Sequence, residues 1–116
     1  MISAEDIRNY CIQKKHVTEH FPFDEHTLVF KVANKMFLLV PLDEEELIFN
    51  AKNTPERCLE LREQYASIQA GYHMSKIHWN TVRITDELPI SLVFELIDES
   101  YELVVTKLPK KVKANW

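Results

Sequence analysis

The segment "LPISLVFELIDESYELVVTKL", residues 88–108, carries an unbroken apolar stripe. Its apolar residues recur at intervals of three and four, which is the spacing of one face of an α-helix. The stripe consists of Ile90, Val93, Phe94, Ile97, Tyr101, Val104, Val105 and Leu108. Burying each large side chain contributes about 1.5–3 kcal/mol, so a helix over about residues 89–108 is expected to anchor the domain.

Two further helices are predicted from signals at their ends. A serine–aspartate capping box begins the first, over about residues 4–15, and Pro22 in "HFPF" lies beyond its end. The second begins at Thr54, whose side chain can cap the first turn, and runs over about residues 55–66. A proline at the first helical position suits this start because its missing N–H would be unpaired there anyway.

Strands are predicted between these helices. "TLVFKV" and "KMFLLVPL" form a hairpin over about residues 27–42, and Asn34 tolerates the positive φ of its turn. Both faces of the second strand are apolar, which predicts a central strand covered on both sides, or nearly so. Further strands are expected at about 46–52 and 78–84. The order α-β-β-β-α-β-α predicts a single compact α+β domain, residues 1–116, with a mainly antiparallel sheet flanked by helices.

Composition narrows the class of protein. With 116 residues, 46% hydrophobic and 28% charged, the chain is typical of one globular domain. We expect a cytoplasmic monomer with no membrane contact, because no apolar run is long enough to span a bilayer and the acidic N-terminus does not resemble a signal peptide. The net charge of −4 argues against strong nonspecific nucleic-acid binding.

The sequence offers little that would support catalysis. Cys11 and Cys58 have no metal-type spacing and are expected to be small buried side chains. His16 and His20 are four residues apart, but no third ligand lies beside them. The one glycine, at position 71, cannot build a phosphate-binding loop. We therefore expect no metal, no cofactor and no enzymatic activity.

A basic and aromatic segment, "GYHMSKIHWNTV" at residues 71–82, is the most distinctive stretch of the chain. Its donors could contact phosphates or base edges, and an aromatic ring could stack on a base. It could equally be a fold-stabilising loop with an incidental basic fringe. In that case Trp79, Val82 and Met74 belong to the core, and Gly71 lies where the backbone needs a small residue or a positive φ.

The same segment resembles the MmcQ/YjbR family, whose motif G-Y-H-M-x-K-x-H-W-N-T-V it matches. "PERCLELREQYASIQ", the C-terminal helix and the hairpin segment fit the same family, so the resemblance covers about residues 4–111. It implies an α+β domain similar to the double-wing module of a phage transcription factor, and hence DNA binding. A member encoded in a mitomycin cluster also implies small-molecule binding or drug protection. The resemblance brings no catalytic residue.

Two binding hypotheses follow. The first is DNA binding, although Ile77 replaces a basic residue that is common in relatives. Its candidate contacts are Arg57, Arg62, His73, Lys76, His78, Asn80, Lys110 and Lys111. The two C-terminal lysines also have a simpler explanation, since positive charge at the end of a helix complements its dipole. The alternative is a small-molecule pocket near Trp79, lined by Tyr72, Met74 and Trp79.

Overall fold

The computed structural model describes residues 2–71, 74–114 and 116. Four helices and a six-stranded antiparallel sheet form this part of the chain. The helices are α1 (Ala4–Ile12), α2 (Pro55–Gln64), α3 (Ile90–Thr106) and α4 (Lys110–Ala114). The strands are β1 (Val17–His20), β2 (Thr27–Val32), β3 (Lys35–Pro41), β4 (Ile48–Lys52), β5 (Ile68–Ala70) and β6 (Trp79–Arg83). Their order in the sheet is β1-β2-β3-β4-β6-β5, which confirms the predicted α+β class.

The element order α-β-β-β-β-α-β-β-α-α corrects the predicted order by three additions, β1, β5 and α4. The first helix ends at Ile12 rather than about residue 15, and His16 takes a positive φ of 63° as the chain turns into β1. The sequence pattern does not predict β1, because "VTEH" is a mostly exposed edge strand without apolar alternation. Its position is fixed by antiparallel pairing with β2, beginning with Val17 opposite Val32.

The main core lies between one face of the sheet and the helices. α3 presents Leu92, Val93, Leu96, Ile97, Ser100, Tyr101 and Val104 as its buried residues. The helix therefore anchors the fold as predicted, but Ile90 is 57% exposed because the buried face of the first turn is set by Leu92 and Val93. Within the described residues, no helix is both long and apolar enough to span a bilayer.

The β2–β3 hairpin is built as the sequence predicts, with one added feature. Ala33 and Asn34 form its turn, and both take positive φ values, 47° and 69°. The strand register shifts after Phe30, which leaves Phe37 as an extra residue of β3. Phe37 and Leu38 are consequently both fully buried, although they are neighbours in a strand.

Candidate functional site

The face of the sheet opposite the main core carries a second, smaller apolar cluster. Val29, Leu39 and Trp79 are its buried members, and Met36 and Met74 pack against it. Val29 and Leu39 are directly opposite each other in the β2–β3 ladder. Because successive side chains of a strand point to opposite faces, these residues face away from the core that α3 covers.

A cleft of about 600 Å³ lies over this second cluster. Its apolar lining includes Met36, Leu39, Ile48 and Met74, which come from β3, β4 and the segment before β6. Phe23, at the mouth of the cleft, leaves 64% of its surface exposed. The cleft is therefore an apolar depression with a large aromatic side chain at its edge.

Two polar groups lie within the cleft, on adjacent strands. Asn50 and Thr81 are register partners of β4 and β6, and both line the cavity. The Thr81 hydroxyl donates a hydrogen bond of 2.5 Å to Oδ1 of Asn50, which orients the amide. A fixed amide beside an apolar floor is the kind of group that orients a bound small molecule.

Carboxylates form the rim of the cleft. Asp24, Asp43 and Glu44 all line it. Asp24 accepts hydrogen bonds from the backbone N–H groups of His26 (2.8 Å) and Thr27 (2.7 Å). These bonds hold the pKa of the Asp24 carboxyl below its ordinary value, so the group stays charged. Among the described residues, the charged side chains that line the cleft are therefore all acidic.

The basic and aromatic segment, residues 71–82, contributes side chains to both faces of the sheet. Trp79 is 7% exposed and belongs to the second cluster, whereas Val82 belongs to the main core. Gly71 is required by close approach and not by a positive φ, since an added Cβ would lie 2.9 Å from Cβ of Trp79. Of the predicted pocket residues that the structure describes, Met74 lines the cleft and Trp79 does not. Tyr72 and His73 lie outside the residues that the structure describes.

Arg57, the first candidate for DNA contact, is surrounded by carboxylates. Its Nε lies 3.1 Å from Glu99 of α3, and its terminal nitrogens lie 2.6 Å from Glu60 and 3.7 Å from Glu95. The hydrogen bond to Glu99 is the main reason that the pKa of the guanidinium is raised. The ion pairs with Glu95 and Glu99 connect α2 to α3. With three carboxylates around one guanidinium, the net charge of this group of side chains is negative.

Arg62, His78 and Asn80 gather where α2 meets β6. Arg62 donates a hydrogen bond of 2.5 Å to the carbonyl of Lys76, and the Asn80 amide donates one of 3.1 Å to the carbonyl of Cys58. Nε of Arg62, Nδ1 of His78 and Oδ1 of Asn80 are buried without a hydrogen-bond partner among the described residues. Asn80 is only 2% exposed. A cavity beside it of about 10 Å³ has room for at most one water molecule.

The remaining candidates lie apart from this cluster or at its surface. Lys76 is exposed in the turn before β6. Lys110 and Lys111 belong to α4, which follows the C-terminal end of α3. The structure therefore brings Arg62, Lys76, His78 and Asn80 together but gives two of them backbone-binding roles, and it places the C-terminal lysines on a separate helix.

Sequence reasoning missed most of the cleft. The sequence pattern assigns Leu39, Ile48 and Asn50 only to strands, and it gives Phe23 only a place in the "HFPF" segment beyond the first helix. The available signal was the doubly apolar pattern of β3. That pattern predicts a central strand covered on both sides, or nearly so, and the structure confirms it. Leu39, buried on the outer face, also lines the cleft.

The thiols do not resemble nucleophiles. Burial raises the pKa of the Cys11 thiol to about 12. Burial also raises the pKa of Cys58, although the nearby Arg62 guanidinium acts in the opposite direction. Among the described residues, no three His, Cys, Asp or Glu side chains are grouped so that they could hold a metal ion.

Comparison with known sequences gives consistent relatives. The sequence model of the YjbR family matches residues 12–103. The uncharacterized protein YjbR of Escherichia coli strain K12 is 28% identical over 110 residues, which cover 95% of this chain and 93% of that protein. The uncharacterized protein YbdF of Escherichia coli O157:H7 is 33% identical over 107 residues, covering 92% and 88%.

Solved structures agree with this assignment. The crystal structure of the Deinococcus radiodurans protein DR2400, with a DUF419 domain, superposes with a TM-score of 0.87 at 40% identity, covering 92% of this chain and 81% of that one. A Pseudomonas syringae protein shares the fold, with a TM-score of 0.75 at 23% identity and coverage of 88% and 98%. The family match and these similarities lead to one conclusion: the chain belongs to the YjbR family.

Proposed function

We propose that this protein is a non-enzymatic binding protein whose ligand is a small, mainly apolar molecule held in the cleft on the outer face of the sheet. The observation that carries the proposal is the cleft itself, about 600 Å³ above a buried apolar cluster. Ligand pockets typically measure about 300–1,000 Å³ and combine apolar walls with a few fixed polar groups. Asn50 and Thr81 supply such groups here.

Charge narrows the class of ligand. The carboxylates of Asp24, Asp43 and Glu44 line the cleft, and no lysine or arginine does so among the described residues. An anionic ligand would be repelled at the mouth, whereas an aromatic cation would be attracted by the carboxylates and could pack on Phe23. The preferred ligand is therefore neutral or cationic.

The chemistry of the described residues supports binding rather than catalysis. A nucleophilic cysteine needs a lowered pKa, and both thiols have raised ones. The charged groups near the cleft are carboxylates on its rim, and the carboxylate of Asp24 is already occupied by the backbone of its own turn. A polar floor made of an amide and a hydroxyl suits recognition.

DNA binding, which the family resemblance implies, has less support from the geometry. The positive charge of Arg57 is matched by three carboxylates, and Asn80 is buried with its amide bonded to the backbone. Lys76 remains exposed and could contact a phosphate. Phosphate neutralisation by several basic side chains supplies most nonspecific affinity, and Arg62, the cation beside Lys76, already donates a hydrogen bond to the Lys76 carbonyl.

A titration with 9-aminoacridine, a planar aromatic cation, tests the proposal by fluorescence. Ile48→Lys places a positive charge in the cleft, and Leu59→Lys makes the same change at an exposed apolar position of α2. We expect binding by the original protein, at least about tenfold weaker binding by Ile48→Lys, and no change for Leu59→Lys. A tenfold loss corresponds to about 1.4 kcal/mol. Equal binding by all three proteins would contradict the proposal.

A further inference from the structure

Three lysines from separate elements meet at one end of the sheet. Lys35 begins β3, Lys52 ends β4, and Lys107 is the C-terminal cap of α3. All three line a groove of about 350 Å³ between the end of the sheet and the end of α3. The fold therefore concentrates three positive charges around one small space.

The floor of this groove is apolar. Met36, Val104, Leu108 and Pro109 complete its lining, and no acidic residue of the described ranges takes part. Val104 and Leu108 are buried, at 6% and 7% exposure. The groove therefore offers an apolar surface to one part of a ligand and positive charge to another.

The lysines are not neutralised by the fold. Within the described part of the chain, none of the three forms an ion pair, whereas Lys14 and three of the arginines do. The pKa of Lys52 is lowered, first by burial and then by the charges of Lys107 and Lys35. Converging like charges disfavour one another, and an anion placed among them would remove that cost.

The backbone at Lys52 is held in place. Its N–H donates a hydrogen bond of 2.9 Å to the Ser100 hydroxyl, which comes from the middle of α3. Lys35 follows the tight hairpin turn, and Lys107 follows the last turn of α3. The positions from which the three side chains reach the groove are thus fixed by regular structure, which lowers the cost of ordering on binding.

We propose that this lysine groove binds an amphipathic anion, whose phosphate or carboxylate group lies among Lys35, Lys52 and Lys107 and whose small apolar body rests on Met36 and Leu108. The site goes beyond the cleft proposed above, since it has the opposite charge and shares only Met36 with it. A narrow groove with an apolar floor suits a small molecule better than a nucleic-acid backbone, which needs an extended basic surface.

The test uses 1-naphthyl phosphate as the probe, with 1-naphthol as its uncharged counterpart. Binding is measured by calorimetry on the full chain and located by ¹H–¹⁵N chemical-shift mapping. We expect the phosphate to bind at least about tenfold more tightly than the naphthol, with shifts at Lys35, Lys52 and Lys107. Lys107 is exposed, and Lys107→Gln should weaken binding of the phosphate at least about fivefold. Lys52→Gln should weaken it by a similar factor. Lys15→Gln, an exposed lysine outside the groove, should have no effect.

Several outcomes would overturn the proposal. Equal affinity for phosphate and naphthol would show that charge is not recognised, and equal weakening by Lys15→Gln would show a general charge effect. Chemical-shift changes at Leu39, Ile48 and Asn50, with none at the three lysines, would place the anion in the cleft instead. Tighter binding of a short DNA duplex with the same dependence on Lys107 would assign the surface to nucleic acid. Failure of 9-aminoacridine to bind would count against the cleft only.

Discussion

The hydroxyl of Ser100 donates a hydrogen bond to the backbone carbonyl of Phe37, the extra residue of the β3 bulge. The same hydroxyl accepts the N–H of Lys52 at 2.9 Å, so one fully buried side chain of α3 satisfies backbone groups of two adjacent strands. β3 and β4 pair at Leu38–Ala51 and Leu39–Asn50, directly beside this point. The serine thus replaces strand pairing where the bulge interrupts it.

Ser100→Ala is therefore expected to lower the free energy of unfolding by about 1–3 kcal/mol, because a buried carbonyl and a buried N–H would each lose their partner. Chemical denaturation monitored by circular dichroism measures this change. Ser91→Ala, at an exposed position of the same helix, is the matched control. Equal stability of the two variants would show that the Ser100 hydroxyl is dispensable.

Gly71→Ala should destabilise the fold by about 1–3 kcal/mol through overpacking. The new methyl group would lie 2.9 Å from Cβ of Trp79 and 3.0 Å from its carbonyl oxygen, and these groups belong to β6. Gln69→Ala, an exposed change in β5, provides the comparison. Thermal unfolding of both variants measures the effect. An unchanged midpoint for Gly71→Ala would mean that the backbone at Gly71 can move away from Trp79 at little cost.

Protonation of Glu87 should contribute to a loss of folding stability at acid pH. Its carboxylate accepts the Ser67 hydroxyl and, at 3.0 Å each, the N–H groups of Ala66 and Ser67. These bonds lower its pKa, with the Ser67 hydroxyl as the largest cause. Because the folded-state pKa lies below the unfolded one, the stabilisation is present above the unfolded pKa and is lost as pH falls through the folded pKa.

Urea midpoints measured from about pH 7 to about pH 3 test this linkage, since an ordinary glutamate titrates near pH 4.3. Glu87→Gln should be less stable than the original protein at neutral pH, and the difference should shrink toward acid pH. Glu45→Gln, in the exposed turn between β3 and β4, should leave the profile unchanged. A difference that is constant with pH would show that the charge of Glu87 is not involved.

DNA binding can be tested directly by fluorescence anisotropy at low salt. We expect no saturable binding to duplex or single strands, because Arg57 is matched by carboxylates and Asn80 is bonded to the backbone. A protein concentration of about 50 µM would reveal even a weak binder, since nonspecific binders reach roughly 10⁻⁴–10⁻⁶ M at physiological salt. Should binding occur, Lys76→Ala would weaken it across sequences and reduce the salt slope by about 1. That pattern would favour DNA over the ligand proposed here.

Local signals predicted much of this fold correctly. The Ser3–Asp6 capping box and the Thr54 cap with its proline begin helices where expected, because each signal acts within one turn of chain. β1 was missed because its stability comes from pairing with β2 and not from its own pattern. Helix caps can be predicted from neighbouring residues, whereas the pairing of an edge strand cannot.

The candidate binding surfaces depend on contacts between positions that are far apart in the sequence. Arg57 is basic in the sequence, but Glu99, which matches its charge, lies 42 residues away. The cleft combines residues of β2, β3, β4 and β6 with residues of the loops beside them, so no single segment displays it. Lys35, Lys52 and Lys107 likewise meet only because α3 ends beside the β3–β4 end of the sheet.

Binding in the cleft is tested most directly by ¹H–¹⁵N chemical-shift mapping with an aromatic fragment library divided equally among neutral, cationic and anionic members. We expect neutral and cationic fragments to shift the amides of Leu39, Ile48, Asn50 and Thr81, which line the cleft. Fragments that leave these amides unchanged, or that shift only residues of α2 and the main core, would contradict it.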